Sequence, residues 1–315
     1  MAYPNLAGNS GMVEGVMFRP RYGALPTEQP NPRSRRLDSL APVEIVSLMN
    51  REDRGVAVAV GRVGREIARA VTLVAGALQS GGRLFFVGAG TSGRLGVLEA
   101  AECPPTFNTP PSLVQAIMAG GRDSVFRSRE GAEDRAGQGK RAVARRVRAG
   151  DVVVGIAASG VTPFVRAALA EARRRRGRTV LVAMDRRSPL GRLADVVIAP
   201  RVGPEVLTGS TRLKAGTATK LILNVLTTAA FVRLGKVYGN WMVDLQPRSR
   251  KLRARAERLV QILGKVSRAR ARRHLRAAGG HAKVAIVMAR RNLSARAASR
   301  LLREAGGSLR RCLDA

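Results

Sequence analysis

The sequence predicts an α/β sandwich: a parallel sheet with helices on both faces, helices ahead of it and a small helical bundle behind it. Three observations carry this expectation. Short apolar runs recur between residues 83 and 199 without polar alternation, as strands buried on both faces do. Stretches of helical periodicity lie between most of them, which argues parallel strands joined by crossover helices. The first run, Leu84-Phe-Phe-Val87, leads directly into the glycine-rich Gly88-Ala-Gly-Thr-Ser-Gly-Arg, which opens a helix around Leu95 to Leu98.

In chain order, residues 1–26 are rich in Gly and Pro and read as a disordered N-terminal extension. Residues 27–80 form an N-terminal helical segment. Within it Thr27 to Asp38 reads as extended, and Ser39 or Ala41-Pro42 opens a helix through Met49. A longer helix spans about Arg54 to Gln79, with Val56, Val60, Val63, Ile67, Val71 and Leu78 on one face, and Gly81-Gly82 ends it. The sheet domain occupies residues 75–238. Its strands are expected at Arg83 to Gly88, Leu113 to Met118, Val152 to Ala157, Thr179 to Met184 and Val196 to Ala199. Helices are expected at about Asp123 to Arg148, Pro163 to Arg175 and Lys214 to Leu234. Cys103-Pro-Pro-Thr should stop the helix after the first strand and leave Glu102 at its end. Residues 239–264 form a connecting helix, from about Ser249 to Leu263. Residues 265–315 form a small helical domain broken at Gly279-Gly280 and Gly306-Gly307.

Composition narrows the classes of function. Of 315 residues 45% are hydrophobic but only 3% aromatic, so the core must be built of Val, Leu, Ile and Ala. The apolar runs fall short of the ~20 residues of a membrane span, and the N-terminus lacks a signal-peptide core, which argues against a membrane partner. Cys103 and Cys312 form no spacing motif, in keeping with a cytoplasmic protein. The net charge is +34, with 49 of the 56 basic residues Arg. These arginines are spread along the chain rather than gathered in a tail, so a heavily solvated surface is favoured over a nucleic-acid partner.

Three turns combine glycine with hydroxyls at strand ends or helix starts: Gly90-Thr-Ser-Gly93, Ala158-Ser-Gly-Val-Thr-Pro163 and Leu207-Thr-Gly-Ser-Thr-Arg-Leu-Lys-Ala-Gly216. Taken singly each is a helix cap. Three in one parallel-sheet domain point to a phosphomonoester, which takes many short hydrogen bonds at a helix N-terminus. No P-loop or dinucleotide fingerprint is present. The histidines, His274 and His281, lie in the C-terminal helices, and no cluster has metal-ligand spacing, so acid–base work falls to carboxylates. Candidates are Glu99, Glu102, Glu130, Glu133, Asp134 and Glu205. Glu130 and Glu133 are expected to share a helix face.

The blocks Val87-Gly-Ala-Gly-Thr-Ser-Gly-Arg-Leu-Gly96, Ala101-Glu-Cys-Pro-Pro-Thr-Phe107, Glu130-Gly-Ala-Glu-Asp134, Asp151 to Gly160, Gly203 to Thr217 and Gly235 to Asn240 closely resemble the N-acetylmuramic acid 6-phosphate etherases. That bacterial cell-wall-recycling family is built on the sugar-isomerase (SIS) domain, and the resemblance runs from about Leu25 to the C-terminus. It implies a SIS-type parallel sheet and a cofactor-free lyase that removes the D-lactyl ether from C3 of a sugar phosphate. By the same resemblance Glu102 is the proton donor to the lactate oxygen and Glu133 the base at C2. Ser92, Ser159 and Thr162 would hold the phosphate with Thr91 supporting, and Ser210 and Lys214 are further ligands. A homodimer with sites near the subunit interface is also implied, with Thr27 to Asp38 reaching across to the partner.

The chain departs from the family pattern in three places. Val161 stands where Arg is usual, Glu99 where Asp is usual, and Pro247-Arg-Ser-Arg-Lys-Leu252 where the family reads Ala-Thr-Asn-Glu-Lys-Leu. A second reading is a sugar-phosphate sensor of the glucokinase regulatory protein type, which shares the fold and the phosphate turns but not turnover. Retention of Glu102 and Glu133 favours the enzyme.

Overall fold

The computed structural model describes residues 22–245, 247 and 249–314. Most of the expected N-terminal extension, residues 1–21, lies outside the described residues, as do Gln246 and, within the departing 247–252 block, Arg248. Helices α1 (Pro42–Gly61) and α2 (Gly64–Gln79) come first, followed by β1 (Leu84–Gly88), α3 (Gly90–Phe107) and β2 (Val114–Met118). Then come α4 (Ala136–Ala144), β3 (Val152–Ile156), α5 (Pro163–Arg174), β4 (Arg178–Val182), β5 (Val196–Ile198) and α6 (Lys214–Arg233). The five strands form one parallel sheet in the order β2-β1-β3-β4-β5.

The apolar strand runs work because successive side chains take opposite faces. Leu84, Phe86, Val152, Val154, Val180 and Val182 pack toward α2, α3 and α6. Phe85, Val87, Val153, Leu181 and Ala183 pack toward α4 and α5 on the other face. Asp151, wholly buried, locks the entry of β1 to that of β3. Its carboxylate accepts from the Arg83 and Arg148 amides at 2.9 Å and from the Arg83 guanidinium at 2.7 Å.

Helix α6 is, by length and composition, the one helix among the described residues able to cross a membrane, with 56% of the relevant window buried. Its Ile222, Leu223, Leu226 and Phe231 are spent on the sheet core. Behind it lie a short antiparallel pair, β6 (Val237–Tyr238) and β7 (Trp241–Met242), and five helices. These are α7 (Arg250–Gly264), α8 (Arg268–Ala277), α9 (Ala282–Arg291), α10 (Ala295–Glu304) and α11 (Leu309–Leu313). They enclose a hydrophobic cluster of their own around Leu259, Val260, Ile286 and Leu302. The buried Lys283 ammonium ties this bundle to the end of α6. It donates to the Gly235 and Gly307 carbonyls at 2.8 Å and to Asp244 at 3.0 Å, and burial pulls its pKa down.

Four local expectations are corrected. The helix expected from Arg54 to Gln79 breaks at Arg62 and Val63, where Gly61 and Gly64 flank a residue at φ −106°, ψ 24°. The helix expected from Asp123 is a short 3-10 turn at Arg122–Val125, and only Ala136–Ala144 is α-helical. Gly131, inside the expected helix, stands at positive φ, a conformation a helix cannot use, as do Gly120 and Gly121 just before it. Glu130 and Glu133 therefore lie in a turn and share no helix face. Helix α3 does not stop at Cys103 but runs on to Phe107, carrying Pro104 and Pro105 within its last turns. The prolines forgo two amide donors, and Asn108 in the left-handed conformation closes the helix by donating to the Pro104 carbonyl at 3.0 Å. Finally, Thr27 to Asp38 is not extended but a string of 3-10 turns.

Candidate functional site

The strand order places the site. In a sheet of this order β1 and β3 are neighbours whose following helices leave to opposite faces, and ligands bind in the crevice that opens at the strands' carboxyl ends. Two of the three hydroxyl turns frame that crevice. The turn after β1 carries Thr91 and Ser92 in the first turn of α3, and both side chains are partly exposed. Gly88 and Gly93 permit this tight turn: a side chain at Gly88 would lie 2.7 Å from the Gly93 nitrogen. Residues 159–162 after β3 carry Ser159 and Thr162, with Pro163 starting α5. Gly160 sits at φ +73° against Ser188, whose hydroxyl donates to the Gly160 carbonyl at 2.6 Å. A methyl group on Gly160 would fall 2.6 Å from the Ser188 Cβ.

The third turn joins the first. A Cβ placed on Gly216, in the first turn of α6, would lie 3.7 Å from the Thr91 methyl. Glu205, 1% exposed, caps α6 by accepting from the Lys214 and Ala215 amides at 2.9 Å. Burial raises its pKa, opposed by those amides. Its role is thus to fix the Ser210-bearing loop rather than to face a ligand. Lys214 is likewise enclosed: its ammonium donates to Glu52 of α1 at 2.7 Å and is 4% exposed. Glu52 also accepts from Asn31 and Arg33 at 2.9 Å, while Asn31 donates to the Pro204 carbonyl at 3.2 Å. Burial pushes the Glu52 carboxyl up, but hydrogen bonds from Lys214, Arg33 and Asn31 outweigh it and hold the pKa at about 2.

This network was invisible in the sequence, where Glu52 reads as an ordinary helix charge. It also involves the segment from Thr27 to Asp38, through Asn31 and Arg33. The Thr27 carbonyl accepts from the Gly209 amide at 3.2 Å, beside Ser210.

Of the carboxylates, Glu133 stands in the turn before α4. Its carbonyl accepts from the Phe164 amide at 2.9 Å, which draws the 130–134 turn onto the start of α5, next to Thr162. The Glu133 side chain is exposed. Glu99 is buried between α3 and α6, where it accepts from Asn224 at 2.6 Å and from the Thr227 hydroxyl, so it faces no crevice. Glu102 is exposed, in the second half of α3. Ten residues separate it from Ser92, about 15 Å along a helix. The phosphate turn and this carboxylate, neighbours in sequence, are therefore not neighbours within one chain. Neighbouring Cys103 is buried, and burial followed by the charges of Glu99 and Glu102 pushes its thiol up to about 12. Val161 is buried in the turn where the family usually carries Arg. His274 and His281 stand in the C-terminal bundle, and among the described residues no group of three His, Cys, Asp or Glu could hold a metal. A cavity of about 510 Å³ lined by Arg62, Arg69, Arg186 and Arg201 lies beside β5, away from these turns.

A covered parallel sheet with hydroxyl turns around its switch point places the chain among the SIS-domain proteins. The SIS domain family matches residues 134–229, and the glucokinase regulatory protein N-terminal SIS domain matches residues 66–173. Over 264 residues the chain is 56% identical to the N-acetylmuramic acid 6-phosphate etherase of Symbiobacterium thermophilum, covering 84% of this chain and 88% of that one. The corresponding etherase of a Synechocystis species is 49% identical over 93% of this chain and 96% of that one. That of Gloeobacter violaceus is 51% identical over 92% and 95%. The chain belongs to the N-acetylmuramic acid 6-phosphate etherase family. Among solved structures, a phosphoheptose isomerase from Francisella tularensis matches with a TM-score of 0.49 and 16% identity, over 61% of this chain and 100% of that one.

Proposed function

We propose that the chain cleaves the D-lactyl ether of N-acetylmuramic acid 6-phosphate, giving N-acetylglucosamine 6-phosphate and D-lactate for amino-sugar recycling. The observation that carries this reading is family membership at about half identity over nearly the whole chain, joined to hydroxyl turns around the β1/β3 crevice.

The chemistry needs two carboxyl groups and no cofactor. In the ring-opened sugar the C2 proton is acidified by the adjacent aldehyde. Glu133 takes that proton, and the electron pair moves into an enolate and then expels the C3–O bond. Glu102 protonates the departing lactate oxygen, leaving a double bond between C2 and C3. Water adds at C3 and a proton returns to C2, which restores both carboxyl groups to their starting states. The phosphate, held by Thr91, Ser92, Ser159 and Thr162 at the helix N-termini, fixes the reacting carbons without taking part. In this reading Lys214 and Ser210 act differently: the Lys214 ammonium, bound to Glu52, braces the loop that carries Ser210. A phosphorylated, charged substrate does not cross membranes unaided, so we assign the activity to the cytoplasm.

The test is release of D-lactate from N-acetylmuramic acid 6-phosphate by the wild type, Glu102→Ala and Glu133→Ala. Wild-type turnover with loss in both variants is expected. Tight sugar-phosphate binding without lactate from the wild type would instead support the sensor reading.

A further inference from the structure

The base assigned to C2 stands on a long connection with little regular structure. Between β2 and α4 the chain makes one short 3-10 turn, Arg122–Val125, and residues 126–131 are all exposed. The connection begins well seated: Ser124 is 3% exposed and packs against Gly120, where a side chain would have no room. Arg129 then folds it on itself, pairing with Asp123 at 2.8 Å and donating to the Gly120 carbonyl at 3.4 Å. These internal bonds shape the loop without fixing where Glu133 lies relative to the crevice.

Contacts from the two helices that present the phosphate hydroxyls do that. From α3, the partly buried Arg94 donates through Nε to the Val125 carbonyl at 2.9 Å and through Nη2 to the Ser128 hydroxyl at 3.5 Å. From α5, the Phe164 amide donates to the Glu133 carbonyl at 2.9 Å. Arg94 follows Ser92 by two residues, and Phe164 follows Thr162 by two. Each anchor therefore lies within a helical turn of a hydroxyl assigned to the phosphate. The topology makes this possible. Strands β1 and β2 are adjacent and parallel, so α3, leaving β1, runs beside the connection that leaves β2.

Resting on the reading above, we propose that Arg94 is a positioning residue that sets Glu133 at a fixed distance from the bound phosphate, and so at C2 of the sugar. It touches no reacting atom and acts through the backbone of residues 125–128. Solvation of a surface charge does not account for it, because its guanidinium commits two donors to the loop. Arginine suits the task. Nε and Nη2 lie along one edge of a rigid plane and can meet two acceptors three residues apart, whereas an ammonium on a flexible stem fixes no such plane. The reaction suits it too: the base must meet the C2 proton, and a misplacement of about 1 Å costs on the order of 10² in rate.

The experiment compares wild type, Arg94→Lys and Arg94→Ala by solvent exchange at C2, by lactate release and by affinity for N-acetylglucosamine 6-phosphate. Exchange and release are expected to fall together, by about 10–10²-fold, in both variants, while product affinity stays at the wild-type value. Added guanidinium ion should restore part of the Arg94→Ala rate, and added ammonium should not. Trypsin should also cut Arg94→Ala faster after Arg127 or Arg129, because the loop has lost its anchor. Product affinity falling in step with the rates would make Arg94 a phosphate ligand and overturn the proposal. Wild-type rates in both variants, or exchange kept while release is lost, would overturn it as well. A wild type showing neither exchange nor release defeats the etherase reading instead. In that event the tryptic comparison still decides whether Arg94 holds the loop, and equal cleavage in wild type and Arg94→Ala says that it does not.

Discussion

At the scale of single residues, the proposed mechanism gives the two glutamates separable duties. Glu133→Gln removes the base, so both C2 proton exchange with solvent and lactate release should fall, by about 10²–10⁴-fold. Glu102→Gln removes only the acid. It should keep exchange at C2 while losing lactate release, and equal loss of both signals would refute that division. Gly160 is a second test point. Its φ of +73° and the 2.6 Å approach of an added methyl to Ser188 leave no room for a side chain. Gly160→Ala should therefore lower the melting temperature and weaken sugar-phosphate binding by displacing Ser159, read by calorimetry and by titration with the product. The glycine was legible in the sequence by its place in a hydroxyl turn, and the glutamates stand as candidates by motif. What could not be read was the course of α3 beyond Glu102, because a proline pair looks like a helix stop. Here those prolines sit in the closing turns at the cost of two amide donors, and the helix runs only two residues past them.

At the scale of elements, the Glu52–Lys214 pair joins α1 to the first turn of α6 and so holds the loop bearing Ser210. Removing the Glu52 charge leaves a buried ammonium unpaired, a change that costs about 3–5 kcal/mol. Glu52→Gln should lower stability by that order, with the loss read in urea unfolding near neutral pH. The pH dependence has a definite sign. The folded-state pKa of about 2 lies below the ordinary carboxylate value of 4.5, so the stabilisation is full above that value and is lost as pH falls toward 2. The wild type should therefore lose stability across that acid window more steeply than Glu52→Gln; parallel curves would rule out this linkage. The strands were readable because continuous apolar runs have few other uses, α5 because Pro163 opens it, and α7 because its Ser249 cap agrees with its periodicity. The 122–135 segment misled because its charges mimic a helix surface, whereas Gly120 and Gly121 just before it and Gly131 within it stand at positive φ and set its path. The Asn31–Glu52–Lys214 network links segments far apart in sequence and left no local signature.

At the scale of the whole molecule, the +34 net charge acts on stability rather than on the fold. Many of the ion pairs engage exposed arginines, such as Arg129–Asp123 and Arg300–Glu304, and contribute little. Mutual repulsion of the surplus arginines should then dominate, so raising the salt from low to physiological ionic strength should raise the melting temperature. A fall would mean that attractive pairs outweigh the repulsion. The bundle behind α6 encloses its own core and is tied by Lys283, yet everything placed in the reaction lies on the sheet domain. That reaction is where the reading stands or falls. The most direct measurement is turnover of N-acetylmuramic acid 6-phosphate in deuterated, ¹⁸O-enriched water, with the sugar and lactate products analysed by mass spectrometry and NMR. Elimination followed by water addition predicts deuterium at C2 and solvent oxygen at C3 of the sugar, with the lactate oxygen unlabelled. Lactate released with no deuterium at C2, or carrying the solvent oxygen itself, would contradict it.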